Sequence, residues 1–302
     1  MKVKITFLGT SPAIPTAKKN HSAVFLSYGP EKILIDCGEG TQRQMRKAGI
    51  NPCKLTRLLI THWHGDHILG IPGLLQTLAL SNYNKTLKVY GPKGTKRFMN
   101  EIMKMYVFVG KIKIQVKEVS KKVIDEKDFI MQAEKMIHGP PCLAYSFVEK
   151  DKVRIKKSKL KKLKIKGKII AKLIEGKNIK WKGKTIKAKN LTYTQKGKKI
   201  TIVTDTRFNN KAISFAKESD LLIAESNYAD DEKKIAYEYK HMTAKQAAEI
   251  AKKSKSKKLI LTHISQRYEK NPKKILKEAK KVFKNTKIAE DLMKLEISQA
   301  NN

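Results

Sequence analysis

Apolar and polar positions follow two rhythms along the chain. Short runs rich in β-branched and aromatic residues recur and end at glycine or a polar turn: VKITFLG (3–9), AVFLSYG (23–29), KILIDCG (32–38) and LTRLLIT (55–61). These read as strands. The series continues with KVYG (88–91), KIKIQVKEV (111–119), DFIMQAEKMI (128–137), CLAYSFVE (142–149), KKITIVTDT (198–206), SDLLIAES (219–226) and KKLILTHIS (257–265). Between them lie helix-like pieces: PKGTKRFMNEIMKMYVF (92–108), RFNNKAISFAKE (207–218), TAKQAAEIAKKSK (243–255) and NPKKILKEAKKVFK (271–284). Thr243 is placed to cap the third. Strands alternating with helices over this length imply an α/β domain. The longest apolar stretch, around Leu69–Leu80, carries Gln76 and Thr77. It falls short of the roughly 18–20 apolar residues that cross a bilayer. The opening MKVKITFLGT lacks the long apolar region of a signal peptide and reads as a strand. No membrane association is expected.

One segment breaks the rhythm. Lys150–Lys189 holds 18 Lys and Arg against two acids, Asp151 and Glu175, a net +16 out of +39 for the whole chain. Its apolar residues look too sparse for a core of their own but sufficient for a small hairpin or helix pair. Turns are expected at Gly167, Gly176 and Gly183. The segment reads as an arm (150–189) inserted between two parts of one domain, 1–149 and 190–302.

A charge of +39 exceeds what solubility needs and attracts polyanions, of which nucleic acid is the commonest in a cytosol. The three cysteines, Cys37, Cys53 and Cys142, are odd in number and far apart in sequence. That pattern suits a reducing compartment rather than a disulfide framework, and the cytoplasm is the expected location.

The candidate chemistry is concentrated in THWHGDH (61–67), where His62, His64, Asp66 and His67 follow the apolar run Leu58–Ile60. Imidazole and carboxylate are zinc ligands, and residues i and i+2 on extended backbone point to one side. His138, Asp205 and His263 each sit where a strand runs out, at the sheet edge where α/β folds place their sites. These seven residues exceed what one tetrahedral zinc takes. They suit two zinc ions about 3.5–4 Å apart that share a carboxylate. Cys142 reads as a small buried hydrophobe, and His21 as a surface residue. Asp36 in IDCGEG is either a partner orienting a ligand imidazole or a turn residue before Gly38.

The motifs HxHxDH, HGPPCLAY, TDT and THIS, in this order, resemble the metallo-β-lactamase fold and, within it, the ribonuclease Z (tRNase Z) family. The resemblance runs from FLGTSPAIPT to THISQRY. It implies a four-layer αββα sandwich and two Zn2+ per chain. His62, His64 and His138 would hold one ion, Asp66, His67 and His263 the other, with Asp205 between them. Catalytic roles fall to Asp66, to His241 in KHMTAKQAAEIA, and to Glu225 in IAESNY, where family members often read His-Glu-Ala-Thr. Pro15–Asn20 resembles the family's Pro-x-Lys-x-Arg-Asn loop with Ala17 and Lys19 at the two basic positions. The implied activity is removal of the 3′ trailer from precursor tRNA, by hydrolysis after the discriminator nucleotide that leaves a tRNA 3′-hydroxyl. The arm would clamp the tRNA, and the active form would be a homodimer. Three other readings remain: a hydrolase of the same fold with a small substrate, a broad-specificity phosphodiesterase or exonuclease, and a non-catalytic RNA-binding protein with structural zinc.

Overall fold

The computed structural model describes residues 2–105, 107 and 112–298. Tyr106, Phe108 and Lys111, at the ends of one expected helix and one expected strand, lie outside them. The first sheet holds β1 (Val3–Gly9), β2 (Ala23–Tyr28), β3 (Glu31–Ile35), β4 (Arg57–Leu59), β5 (Thr86–Gly91) and β6 (Lys113–Glu118) in sequential order. The second holds β7 (Lys122–Asp125), β8 (Phe129–Met136) and β9 (Cys142–Glu149). After an excursion through β10 (Lys152–Ile155), β11 (Ile179–Trp181), β12 (Lys184–Ile186) and β13 (Thr192–Gln195), the chain returns. The second sheet is then completed by β14 (Lys199–Val203), β15 (Leu221–Glu225), β16 (Leu259–Thr262) and β17 (Thr286–Ile288), and β18 (Lys294–Ile297) pairs antiparallel with β1. β3 to β6 run parallel to one another, as do β14 to β17.

The side-chain alternation of the strands sorts residues into layers. Val3, Ile5 and Phe7 meet Tyr145, Phe147, Ile200, Ile202 and Ile223 in a core between the sheets. On the outer face of the first sheet, Leu34, Leu58 and Val89 pack on the helices Thr41–Lys47, Ile71–Leu80 and Thr95–Lys104. On that of the second, Leu222, Ala224 and Leu261 pack on the helices Asn210–Phe215, Ala244–Lys253 and Pro272–Val282. Both sheets are thus covered on both faces, which is why their central strands read as nearly unbroken apolar runs. Each fully buried Leu, Ile or Phe contributes about 1.5–3 kcal/mol. The result is the αββα sandwich. Thr243 caps the helix Ala244–Lys253 in a capping box with Gln246.

The lysine-rich segment is folded. β10 pairs with β13 as a two-stranded stem. Beyond it, Leu160, Ile165, Leu173, Ile179, Ala188 and Leu191 are buried together. This corrects the expectation that the segment lacks the residues for a core: six modest side chains are enough once Ile155, Ile169, Ile170, Trp181 and Ile186 flank them. The β11–β12 hairpin turns on Lys182 and Gly183, both at positive φ (49° and 75°), as a tight hairpin loop demands.

Candidate metal centre

β4 ends at Leu59, and the next residues leave the sheet edge at once. His62 follows, His64 is on extended backbone, and the short helix Gly65–Ile68 starts after it, carrying Asp66 and His67. The Tyr145 hydroxyl donates to the Ile60 carbonyl (2.8 Å) and the Leu143 N–H to the Thr61 carbonyl (2.9 Å), pinning this turn to β9. His138 follows β8, Asp205 follows β14 and His263 follows β16. His263 holds a left-handed backbone (φ 56°) with its N–H donating to the Thr10 carbonyl. Such a conformation costs a β-carbon residue on the order of 1 kcal/mol and is typical of positions where function fixes the backbone.

The side chains meet in two groups. His62, His64, His138 and Asp205 form one, and Asp66, His67, Asp205 and His263 the other, each with its ligand atoms within 4.8 Å of one another. Asp205 belongs to both. Its Oδ2 lies 3.6 Å from His62 Nε2 and 3.7 Å from His138 Nε2, while its Oδ1 lies 3.2 Å from His263 Nε2 and 3.5 Å from His67 Nε2. All seven expected ligand positions are therefore brought together.

The second nitrogen of several rings is already committed. His67 Nδ1 donates to Asp36 Oδ2 at 2.7 Å. The Thr61 hydroxyl donates to the same oxygen at 2.8 Å, so His62 Nδ1, 3.0 Å from that hydroxyl, is the donor there. His138 Nδ1 faces the Lys240 carbonyl at 3.2 Å and must donate as well. In each ring this leaves the Nε2 lone pair turned inward. Asp36 is thus an orienting partner of the cluster, and it also holds a left-handed turn backbone (φ 60°) before Gly38.

The inward atoms are hard to satisfy by hydrogen bonds alone. His64 Nδ1 meets two ring nitrogens, His62 Nε2 at 3.1 Å and His138 Nε2 at 3.2 Å, and His67 Nε2 meets His263 Nε2 at 3.3 Å. Asp205 Oδ1 is buried without a hydrogen-bond partner among the described residues. Electrostatics agree. Burial pushes the His67 imidazole down, yet the Asp205, Asp36 and Asp66 carboxylates raise it well above its ordinary range. Burial pushes Asp66 up, but His67 and His263 hold it well below the usual carboxylate range. The pocket calls for positive charge at a point ringed by imidazole and carboxylate, which fits divalent metal ions.

Beside it, His241 Nδ1 lies 3.0 Å from Glu225 Oε1, and its ring stands 5.1 Å from that of His138 and 5.7 Å from that of His263. Glu225 is fully buried at the end of β15 and also accepts the N–H groups of Thr206 (2.7 Å) and Met242 (3.2 Å). Burial pushes His241 down, but the Glu225 carboxylate outweighs it and lifts the ring to about 9. Cys142 is buried with its Sγ donating to the Asp205 carbonyl (3.3 Å), and burial pushes its thiol well up. His21 departs from the surface position expected of it. It is buried, 3.2 Å from the Ala13 carbonyl, and wedged so tightly that a Cβ on Gly38 would sit 2.4 Å from its own. Apolar neighbours in SAVFLSYG already signalled a buried position there.

Sequence reasoning left Thr61, Thr206 and the Lys240 carbonyl unnoticed. No local signal marks Thr61: it meets Asp36 only once β3 pairs parallel with β4, Ile35 opposite Leu59.

Two family models match the chain: the anti-Pycsar protein Apyc1 over residues 3–108 and the beta-lactamase superfamily domain over residues 172–264. Ribonuclease Z of Methanothermobacter thermautotrophicus is 41% identical over 298 residues, covering 98% of this chain and 97% of its own. Ribonuclease Z of Nanoarchaeum equitans is 40% identical over 266 residues, covering 88% and 84%. The crystal structure of human tRNase Z, short form, superposes with a TM-score of 0.70 at 28% identity, covering 97% of this chain and 98% of that one.

Proposed function

The chain belongs to the ribonuclease Z family, and on that premise we propose that it is a metal-dependent endoribonuclease of tRNA 3′ processing that cuts precursor tRNA after the discriminator nucleotide with two zinc ions. The observation that carries the proposal is Asp205, one carboxylate oxygen of which faces each imidazole group. His62, His64 and His138 would hold one ion, Asp66, His67 and His263 the other, and Asp205 both. Bound there, two divalent ions lower the pKa of water toward neutrality and offset charge on the phosphoryl oxygens.

The chain's own residues do the rest. Asp66, held ionised, orients the attacking water, whose proton passes to solvent. His241, anchored by Glu225, donates a proton to the departing 3′-oxygen, so the products are a 3′-hydroxyl tRNA and a 5′-phosphate trailer. The lysines of the arm grip tRNA phosphates; A-form RNA is recognised by shape and backbone more than by base edges. A second copy docks on the helix Ile71–Leu80. Leu69 (56% exposed), just before it, and Leu80 (60%), at its end, are exposed, as is Met105 (67%). The cytoplasm holds the substrate and suits three cysteines without a disulfide, and among the described residues no helix is long and apolar enough to cross a membrane.

Metal analysis with product mapping on a precursor tRNA tests the proposal. Two zinc equivalents per chain and one cut leaving a 3′-hydroxyl are expected, both lost in Asp205→Ala. A ladder of shortened products would indicate an exonuclease, and cleavage of small diesters alone would indicate a small-substrate hydrolase. Near-normal zinc content and rate in Asp205→Ala would overturn the ligand assignment. Light scattering should give a dimer that Leu80→Lys dissociates.

A further inference from the structure

A groove of about 680 Å³ opens beside the metal cluster, lined by Trp63, Lys93, Arg97, Phe98, Glu118 and Pro140. Trp63 lies between His62 and His64 in sequence, and Gly139, which leads from His138 into Pro140, rests against the His64 ring: a Cβ there would be 3.9 Å from it. The Trp63 and Phe98 rings stand 4.8 Å apart at 34°. The indole is fixed by its N–H, which donates to Thr95 Oγ1 at 3.0 Å. The Arg97 guanidinium sits over the Phe98 ring at 4.4 Å, its side chain 69% exposed, and Lys93 is exposed. The groove's one carboxylate, Glu118, accepts the N–H groups of Gly94 (3.0 Å) and Lys96 (3.1 Å), so its charge is directed at the helix start.

A half-buried aromatic pair flanked by exposed cations is the chemistry of a platform for single-stranded nucleic acid. Paired bases could not enter it, because a duplex keeps them stacked. We propose that this groove receives the first nucleotides of the single-stranded 3′ trailer, with a base stacking against the Trp63–Phe98 pair and Lys93 and Arg97 meeting the phosphates. The inference rests on the functional reading above. It assigns the trailer rather than the acceptor end because the RNA before the cut is paired up to the discriminator nucleotide, whereas the trailer offers unpaired bases in succession.

Two precursor tRNAs with the same body test it, one with an ordinary trailer and one whose first two trailer nucleotides lack bases. The unaltered protein should favour the ordinary trailer by about 5- to 100-fold in kcat/KM, the span expected for stacking one base. Phe98→Ala should lose that preference, whereas Arg97→Ala should lower kcat/KM for both precursors alike and keep it. Binding supplies a second readout. Trp63 and Trp181 are the chain's two tryptophans, so in Trp181→Phe a short single-stranded oligoribonucleotide should quench Trp63 emission and its abasic counterpart should not. Equal cutting of both precursors by the unaltered protein, a preference kept by Phe98→Ala, unchanged cutting by Arg97→Ala, or absence of quenching would overturn the groove assignment. If the protein hydrolyses bis(p-nitrophenyl) phosphate but cuts neither precursor, the functional reading falls instead, and quenching alone decides the groove.

Discussion

His67 donates from Nδ1 to Asp36 Oδ2 across 2.7 Å, and both side chains are buried. The same carboxylate accepts the Thr61 N–H and hydroxyl, so one residue orients His67 directly and His62 through Thr61. Asp36→Asn should therefore weaken zinc binding by about 10- to 100-fold without touching a ligand. Competition against a chromogenic chelator reads this out; an unchanged affinity would mean that the rings are oriented by packing alone.

His241 and Glu225 separate proton donation from the rest of the chemistry. With precursor tRNA, where the departing alkoxide needs a proton, His241→Ala should lower kcat by about 10²- to 10⁴-fold. With bis(p-nitrophenyl) phosphate, whose leaving group departs unaided, the loss should be far smaller. Equal losses on both substrates would assign His241 to metal-site structure instead.

Replacing 156–191 by a tight turn on the β10–β13 stem should raise KM for precursor tRNA at least tenfold. It should also flatten the salt dependence, since each phosphate contact removed lowers the slope of log affinity against log salt by about 0.9 or less. Turnover of the small diester should persist. Loss of both activities would show that the arm supports the fold rather than the substrate.

Stability should follow pH through Asp220. Burial pushes its carboxyl up, but the Lys257 ammonium, the Lys199 N–H and the Lys198 ammonium outweigh this and hold it below its ordinary value. A carboxyl lowered by folding stabilises the native state above its unfolded value, near 3.8, and the gain disappears as pH falls through the lower, folded value. Asp220→Asn should cost about 1–3 kcal/mol at pH 7, the range for hydrogen bonds to a charged group. The gap should narrow as pH falls below 3.8. Urea melts at pH 7 and pH 3 measure it, and a pH-independent gap would assign the loss to packing.

Much of this could be read from the chain because the apolar rhythm is local. β9, β15 and β16 are apolar runs bounded by polar residues, and the residues just beyond β8, β14 and β16 are His138, Asp205 and His263 once the turns are allowed for. What escaped depends on distant partners. β18 pairs with β1 across nearly the whole chain, and β10 finds β13 some 40 residues away, pairings that no local pattern encodes. The burial of His21 requires the close approach of Gly9 and Gly38. The role of Asp36 appears only when β3 lies beside β4. The arm's core was missed because sparse isoleucines and leucines among lysines look insufficient until they converge.

The chain leaves the sandwich at β10 and re-enters after β13, and what lies between carries its own small interior. Mutations that lengthen that appendage or redistribute its lysines need not disturb the pocket where the bond is broken. On the role proposed for the arm, grip and scission can therefore drift at different evolutionary tempos, and lineages can retune which RNAs they hold while inheriting the same cutting chemistry.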